Sequence, residues 1–214
     1  MQVLRNAVGF YWTLPVPWAG FRELPKDIEA AADESRTIRY QREIIRRRAK
    51  ERNYKLIREE VFLEIEPDRG SKQVLDALKP VTRICQENDA VLLLVDFSEV
   101  QGWRSHGPLS DWAQQTPIDI ETVYPDEFVV DRKLFDPHAH FAQWRVRQEE
   151  WSAGKGARMV VASREARRLR AQKQPYKAIA DVLNDRSLRS ATGKPWTEDS
   201  VRKLLRPEDL QNNE

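Results

Sequence analysis

Hydrophobic residues recur along this chain with two periods, and the two periods alternate in an ordered way. Four segments carry β-branched and aromatic residues at every second position or in continuous runs, which predicts strands at residues 3–14, 54–66, 90–97 and 118–124. Apolar residues at helical spacing lie between these segments and predict helices at residues 35–53, 71–87 and 109–115. Strands that alternate with helices favour an α/β fold built on a mostly parallel sheet.

The third strand segment, AVLLLVDF at 90–97, is apolar at almost every position. Such a run is typical of a central strand that is covered on both faces. The helix at 35–53 has a different character, because a narrow apolar stripe that follows Ser35, the expected N-cap, is surrounded by arginines and lysines. We interpret this cationic surface as a solvated face, with contact to an anionic partner as the alternative. Residues 26–34 leave a short helix and an irregular segment as alternatives.

The last third of the chain is predicted to be helical. A long helix is expected over 138–172, with an interruption near Gly154 and Gly156. Two short helices follow at 176–184 and 197–205, and each has one apolar face and one polar or cationic face. Two short helices that share an apolar seam fit a helix-turn-helix module. A small three-helix domain with solvated charges is the alternative interpretation.

Charge is distributed unevenly along the chain. The net charge is only +2 over 214 residues, yet residues 154–206 carry 14 Lys and Arg against 5 Asp and Glu. The cations are therefore concentrated in the region that contains the two short helices, as binding to phosphates would require. Cys85 is the sole cysteine, so a disulfide framework is excluded and a reducing cytoplasm is expected. No apolar run approaches the ~18 residues of a membrane span, and we expect neither a membrane partner nor a cofactor.

Three motifs in this cationic region resemble a known module. They are Ile179-Ala180 with Leu183-Asn184, Gly193-Lys194 with Trp196-Thr197, and Ser200-Val201 with Leu204-Leu205. In this order they resemble the DNA-binding module that follows the catalytic domain of large serine recombinases, which implies binding to double-stranded DNA. Lysines and arginines would mostly hold phosphates, and the two hydroxyl side chains would approach base edges or phosphates. The candidate DNA-binding residues are Lys177, Arg189, Lys194, Thr197, Ser200, Arg202 and Lys203.

The order of the preceding elements resembles the catalytic domain of the same family, the resolvases and invertases. Ser35 and Gln41 stand like the family's Ser- and Gln-rich opening of its first helix, and Asp89 precedes the apolar strand as it does there. The resemblance implies a resolvase-like sheet with flanking helices, followed by a small all-helical helix-turn-helix domain. Members of this family attack a DNA phosphodiester with a serine hydroxyl and clamp the phosphate with arginines.

The residues that this chemistry needs are missing from the expected positions. Where the family has Tyr-x-Arg-Val-Ser, the chain has YWTLP at 11–15, so Thr13 replaces the arginine and Pro15 replaces the nucleophile. The family's Asp-Arg-Leu-x-Arg is replaced by FSEVQ at 97–101, and Arg104 is the nearest arginine. We therefore expect no catalytic residue and a DNA-binding pseudoenzyme that acts as a regulator or accessory factor, linked to a mobile element or a phage.

Two other functions remain open at this point. One is an active recombinase with a displaced nucleophile, Thr13 or Ser35. The other is a protein-interaction module whose basic surface binds an acidic partner.

Two clusters suggest metal binding, and for both a simpler interpretation is favoured. His138 and His140 lack a third nitrogen or sulfur ligand nearby, so an exposed helix start is expected there. Asp96 and Glu99 lie near the end of the apolar strand, where a divalent cation can bind, but a polar strand end is the favoured interpretation. We expect no metal site.

The chain is thus predicted to have three parts and a tail. Residues 1–135 form the α/β domain, 136–172 a helical connector and 173–207 the helix-turn-helix module, and 208–214 form a disordered tail. The apolar stripe of the connector favours packing against the sheet, and the alternative is a homodimer through this helix or a helix that spans DNA. The expected location is the cytoplasm, in association with the nucleoid.

Overall fold

The computed structural model describes residues 4–65, 70–98, 100, 106–191 and 193–206, and it confirms the predicted α/β class. The strands are β1 Arg5–Thr13, β2 Tyr54–Leu63, β3 Val91–Val95, β4 Ile120–Val123, β5 Phe128–Val130 and β6 Lys133–Phe135. The helices are α1 Ile28–Glu34, α2 Arg36–Glu51, α3 Gln73–Asn88, α4 Gly107–Gln115, α5 Pro137–Ala153, α6 Lys155–Ala171, α7 Tyr176–Asp185 and α8 Glu198–Leu204. Among the residues described, no helix combines the length and the apolar character that crossing a membrane requires.

The chain divides into two compact units. The first unit comprises the residues up to Val16 together with Phe21–Arg145, and the second comprises Pro17–Gly20 and the residues from Val146 onwards. The predicted tail at 208–214 lies outside the described residues. The predicted interruption of the long helix is confirmed at Gly154, which separates α5 from α6, whereas Gly156 lies inside α6.

A four-stranded parallel sheet with the order β2-β1-β3-β4 forms the first unit. Parallel strands are joined by right-handed crossovers, so this order places α2 on one face and α3 and α4 on the other. All five residues of β3 are buried, as predicted from its continuous apolar sequence. The segment at 26–34, left open by its sequence, forms the helix α1, which Asp27 caps through its side chain.

Aromatic residues from four elements meet in the core of the first unit. Phe97 follows β3 and lies 5.0 Å from the ring of Phe141 on α5 and 5.7 Å from that of Trp12 on β1. Tyr40 on α2 stacks on Phe135 of β6 at 4.6 Å. These contacts tie the start of α5 to the sheet, which supports the packing interpretation for that part of the predicted connector.

Most arginines of α2 form ion pairs with carboxylates. Arg46 contacts Glu59 of β2 and Glu29 of α1, both at 2.8 Å, and Arg48 contacts Glu121 of β4 at 2.6 Å. Further pairs join Arg39 to Asp131, Arg42 to Glu29 and Arg47 to Glu51. Acidic residues, most of them distant in sequence, therefore neutralise part of this cationic face, while Arg36, Arg47 and Lys50 remain exposed to solvent.

Candidate nucleic-acid interface

The cationic second unit is built on a core shared by three helices. α6, α7 and α8 pack around one cluster, to which Ala162, Ala166, Leu169, Ile179, Ala180, Leu183, Trp196 and Val201 contribute. Ala162 and Ala166 of α6 are fully buried, and their small side chains leave room for the neighbouring helices to approach. The apolar seam that the sequence predicted between the two short helices therefore exists, and α6 is its third partner.

A long loop, 186–197, connects α7 to α8, and Trp196 holds it in place. The Asn184 amide accepts a hydrogen bond from the Trp196 backbone N–H at 2.7 Å and donates one to its carbonyl at 2.9 Å. The indole of Trp196 donates to the carbonyl of Leu188 at 2.6 Å. Gly193 adopts a φ of 72°, which few other residues tolerate. This connection is longer than the turn of three or four residues typical of a helix-turn-helix.

Thr197 and Ser200 form a capping box at the start of α8. The Thr197 hydroxyl accepts from the Ser200 backbone N–H at 3.2 Å, and the Ser200 hydroxyl accepts from the Thr197 backbone N–H at 2.8 Å. Glu198 and Asp199 occupy the first turn, where negative charge suits the helix dipole. Both candidate hydroxyls therefore stabilise the helix start.

The candidate cations fall into two groups. Arg202 contacts Glu198 at 2.7 Å and Lys203 contacts Asp199 at 2.8 Å, so both are engaged on their own helix. The hydrogen bond from Lys203 is the main reason that the pKa of Asp199 is lowered. By contrast, the remaining candidate cations make no ion pair within the part of the chain that the structure describes: they are Lys177, Arg189 and Lys194.

A groove of about 450 Å³ beside α8 brings some candidates together. Lys194, Thr197, Ser200 and Lys203 line it, with Met159 and Trp196 among the apolar residues of its wall. Lys177, Arg189 and Arg202 lie outside this groove. The candidate set thus occupies more than one surface of the second unit.

In the first unit, the positions where serine recombinases would carry catalytic residues hold side chains that pack in the core or cap a helix. The Pro15 carbonyl accepts a hydrogen bond from the indole of Trp144 at 3.2 Å. Ser35 and Thr13 are 6% and 4% exposed, and the Ser35 hydroxyl donates to that of Thr13 at 3.1 Å. Ser35 also caps α2 by accepting the Ile38 N–H, as predicted. Neither hydroxyl faces solvent.

The residues after β3 are described only in part. The carboxylate of Asp96 accepts the backbone N–H of Ser98 at 2.9 Å, which fits a polar strand end. Glu99 and Arg104 lie outside the described residues. Among those described, no group of three His, Cys, Asp or Glu side chains is arranged to hold a metal.

A buried contact between His106 and Glu64, not predicted from the sequence, joins the residue after β2 to the residue before α4. The Nε2 atom of His106 lies 2.6 Å from the Glu64 carboxylate, and its Nδ1 atom accepts the N–H of Leu109. Both side chains are under a tenth exposed. Through Nδ1, His106 is the N-cap of α4, and through Nε2 it binds Glu64, the residue after β2.

His140 is half-buried rather than exposed, which corrects the prediction for this helix start. Its Nε2 atom lies 3.1 Å from the hydroxyl of Thr37, and its ring lies 4.8 Å from that of Phe135. Burial, and secondarily the charge of Arg36, lowers the pKa of His140 from 6.5 to about 4. His140 is therefore neutral in the folded protein at neutral pH.

This shift makes the first unit sensitive to mild acid. Below pH 6.5 the unfolded chain protonates His140 while the folded chain does not, so stability falls as the pH drops towards 4. We expect about 2 kcal/mol to be lost by about pH 5 through this group. Urea unfolding of the wild type and of His140→Gln at both pH values measures the difference. Equal acid losses in the two proteins would exclude this cause.

Comparisons of the chain with protein-family models, curated proteins and solved structures found no match. The geometry described above is therefore the basis for inferring a function.

Proposed function

We propose that this protein binds double-stranded DNA through its second unit and does not cleave it. The observation that carries the proposal is the set of three cations, Lys177, Arg189 and Lys194, that project from a well-packed helical unit without carboxylate partners among the described residues. Cations that are not neutralised internally are available to phosphates, and their binding releases the counterions that drive association with DNA.

The resemblance to serine recombinases gives this surface its proposed ligand. The three motifs that carry the resemblance lie in the described core and loop: Asn184 binds the backbone of Trp196, and Thr197 caps the helix that bears Val201. We propose that α7 and α8 serve as a helix-turn-helix-like reader and that the sheet, with its order β2-β1-β3-β4, is a resolvase-like body. The role in the cell would be that of a regulator or accessory factor associated with the nucleoid.

The proposed lack of cleavage is supported by the side chains near the end of β1. Thr13 and Ser35, the two displaced nucleophiles considered above, are buried and bound to each other, and Pro15 has no hydroxyl. A nucleophile must reach the phosphorus atom, and a base or a lowered pKa must activate it. Neither condition is met by these side chains, which disfavours the alternative of an active recombinase.

DNA affinity measured against salt concentration tests the proposal. The affinity of the wild type for a mixed-sequence duplex should fall steeply with salt, and replacing Lys177, Arg189 and Lys194 by alanine should make the log–log slope shallower by about 2 to 3. A matched control, Lys50→Ala with Lys55→Ala and Lys72→Ala, removes the same charge from exposed positions of the first unit. The control should bind like the wild type.

Two outcomes would overturn the proposal. A wild type that does not bind duplex DNA at low salt would exclude the function, and equal losses in both triple variants would show only an effect of net charge. The non-cleaving part is tested separately by incubation with supercoiled plasmid followed by denaturing electrophoresis. A covalent protein–DNA adduct would restore the recombinase alternative.

A further inference from the structure

Three arginines converge on a cleft at the C-terminal end of α8. The cleft has a volume of about 340 Å³ and lies between the ends of α6 and α8. Its walls carry Arg167 and Arg170 from α6 and Arg206 from the residues after α8, and Ala171, Leu204 and Leu205 form its apolar part. Leu204 also borders the groove that contains Lys194, so two cationic cavities adjoin α8.

No carboxylate lines this cleft, which distinguishes it from the other arginine clusters of the second unit. Arg168 and Arg186 both contact Glu165, and the hydrogen bond from Arg168 is the first cause of the lowered pKa of that carboxyl group. Arg167 and Arg206 make no ion pair with any residue described. The charge of Arg206 does contribute to the lowered pKa of Asp199, but that carboxylate is hydrogen-bonded to Lys203.

One of the three guanidinium groups is held in a fixed position. Arg170 lies over the ring of Tyr176, 4.5 Å from its centroid, and donates a hydrogen bond to the carbonyl of Gln174 at 3.1 Å. An ordered arginine loses less conformational entropy when it binds a ligand. Because no carboxylate lines the cleft, a bound anion would reduce the mutual repulsion of the three arginines.

The structure assigns this cleft to a phosphate of the duplex, as a contact separate from that of Lys194; this inference rests on the proposed function. The guanidinium groups match a phosphodiester in charge and hydrogen-bonding geometry, and Leu204, Leu205 and Ala171 offer an apolar surface to the adjoining sugar. A helix that lies in the major groove, about 12 Å wide, runs beside the phosphate backbone. The two cationic cavities that adjoin α8 therefore suit two phosphates of one duplex.

The test compares two double variants of the full chain that lose the same charge. Arg167→Ala with Arg206→Ala removes two cations of the cleft, and Arg168→Ala with Arg186→Ala removes two arginines that already have Glu165 as their carboxylate partner. Arg170 is left in place because its stacking on Tyr176 is structural. For a mixed-sequence duplex, the cleft variant should lose roughly tenfold in affinity at about 0.1 M salt and about 0.9 in log–log slope, the value of one phosphate contact. The control should change by less than about threefold.

A charge-preserving pair separates loss of charge from loss of structure. Arg167→Lys with Arg206→Lys should retain the wild-type slope, with circular dichroism and thermal unfolding unchanged in all variants. If the wild type binds DNA and the cleft variant matches the control, the cleft assignment is overturned while the proposed function stands. If the wild type shows no salt-dependent binding, both are overturned.

Discussion

Gln41→Leu is expected to destabilise the first unit by about 3 kcal/mol, a large effect for a side chain that takes no part in binding. Gln41 is fully buried on α2. Its carbonyl oxygen accepts the backbone N–H of Trp12 at 3.2 Å, and its amide donates to the Trp12 carbonyl at 2.6 Å. Leucine has nearly the same volume but leaves both backbone groups without a partner.

The pairing of strands in the sheet explains why Trp12 needs Gln41 as a hydrogen-bond partner. β1 pairs with β3 only from Ala7 to Phe10, whereas its pairing with β2 continues to Thr13. Trp12 thus lies beyond the residues of β1 that pair with β3, and on that side of β1 Gln41 binds its N–H and C=O instead. The amide of Gln41 offers one acceptor and one donor, as the next residue of a strand would, and so extends the ladder by one step.

Urea unfolding of the wild type and the variant measures this loss directly. Gln114→Leu, at an exposed position on α4, is the matched control and should change stability by less than about 0.5 kcal/mol. A loss below about 1 kcal/mol in Gln41→Leu would mean that water or a local shift satisfies Trp12, and the ladder interpretation would be wrong.

Sequence periodicity predicted those elements that bury one continuous apolar face. β3 was predicted from its unbroken run and α2 from its narrow stripe, and both short helices, α7 and α8, were found within a residue or two of their predicted bounds. In each case one face of the element packs against a core, so burial selects the residues that the pattern detects.

The hairpin β5–β6 was missed because it lacks the usual signals. Its strands have three residues each, too few for alternation to be recognised, and its turn consists of Asp131 and Arg132, with φ values of 50° and 62°. Tight hairpin turns of this conformation usually contain glycine or asparagine, which tolerate positive φ. Phe135, which packs on Tyr40, anchors this hairpin to the core from a distant part of the chain.

The candidate interface was predictable in position but not in detail. Counting charges along the chain located the cationic region, and the pairs Arg202–Glu198 and Lys203–Asp199 follow from their spacing of four residues. The bond between Arg186 and Glu165 joins two helices and has no signature in the sequence. Which cations remain available to a ligand therefore depends on the folded arrangement.

Trp196→Ala is expected to destabilise the second unit by about 4 kcal/mol and to abolish DNA binding with it. Trp196 is 5% exposed, and it joins the shared core to the loop between α7 and α8. Truncation leaves a cavity and deprives the Leu188 carbonyl of its donor. Hydrogen exchange of α7 and α8 is the suitable measurement, because seven tryptophans make fluorescence ambiguous. The amides of β1 and β3 should keep their protection.

Trp196→Phe separates packing from direct contact with DNA. Phenylalanine retains most of the buried ring but not the bond to Leu188, so we expect a loss of about 1 to 2 kcal/mol in the stability of the second unit. If Trp196 is a packing anchor, this variant binds DNA within about threefold of the wild type wherever the unit remains folded. A loss of more than about tenfold in affinity, with hydrogen exchange unchanged, would instead make Trp196 a contact residue. The second unit would then present its indole to the nucleic acid, and the cations around α8 would have to be reassigned to the geometry of that contact.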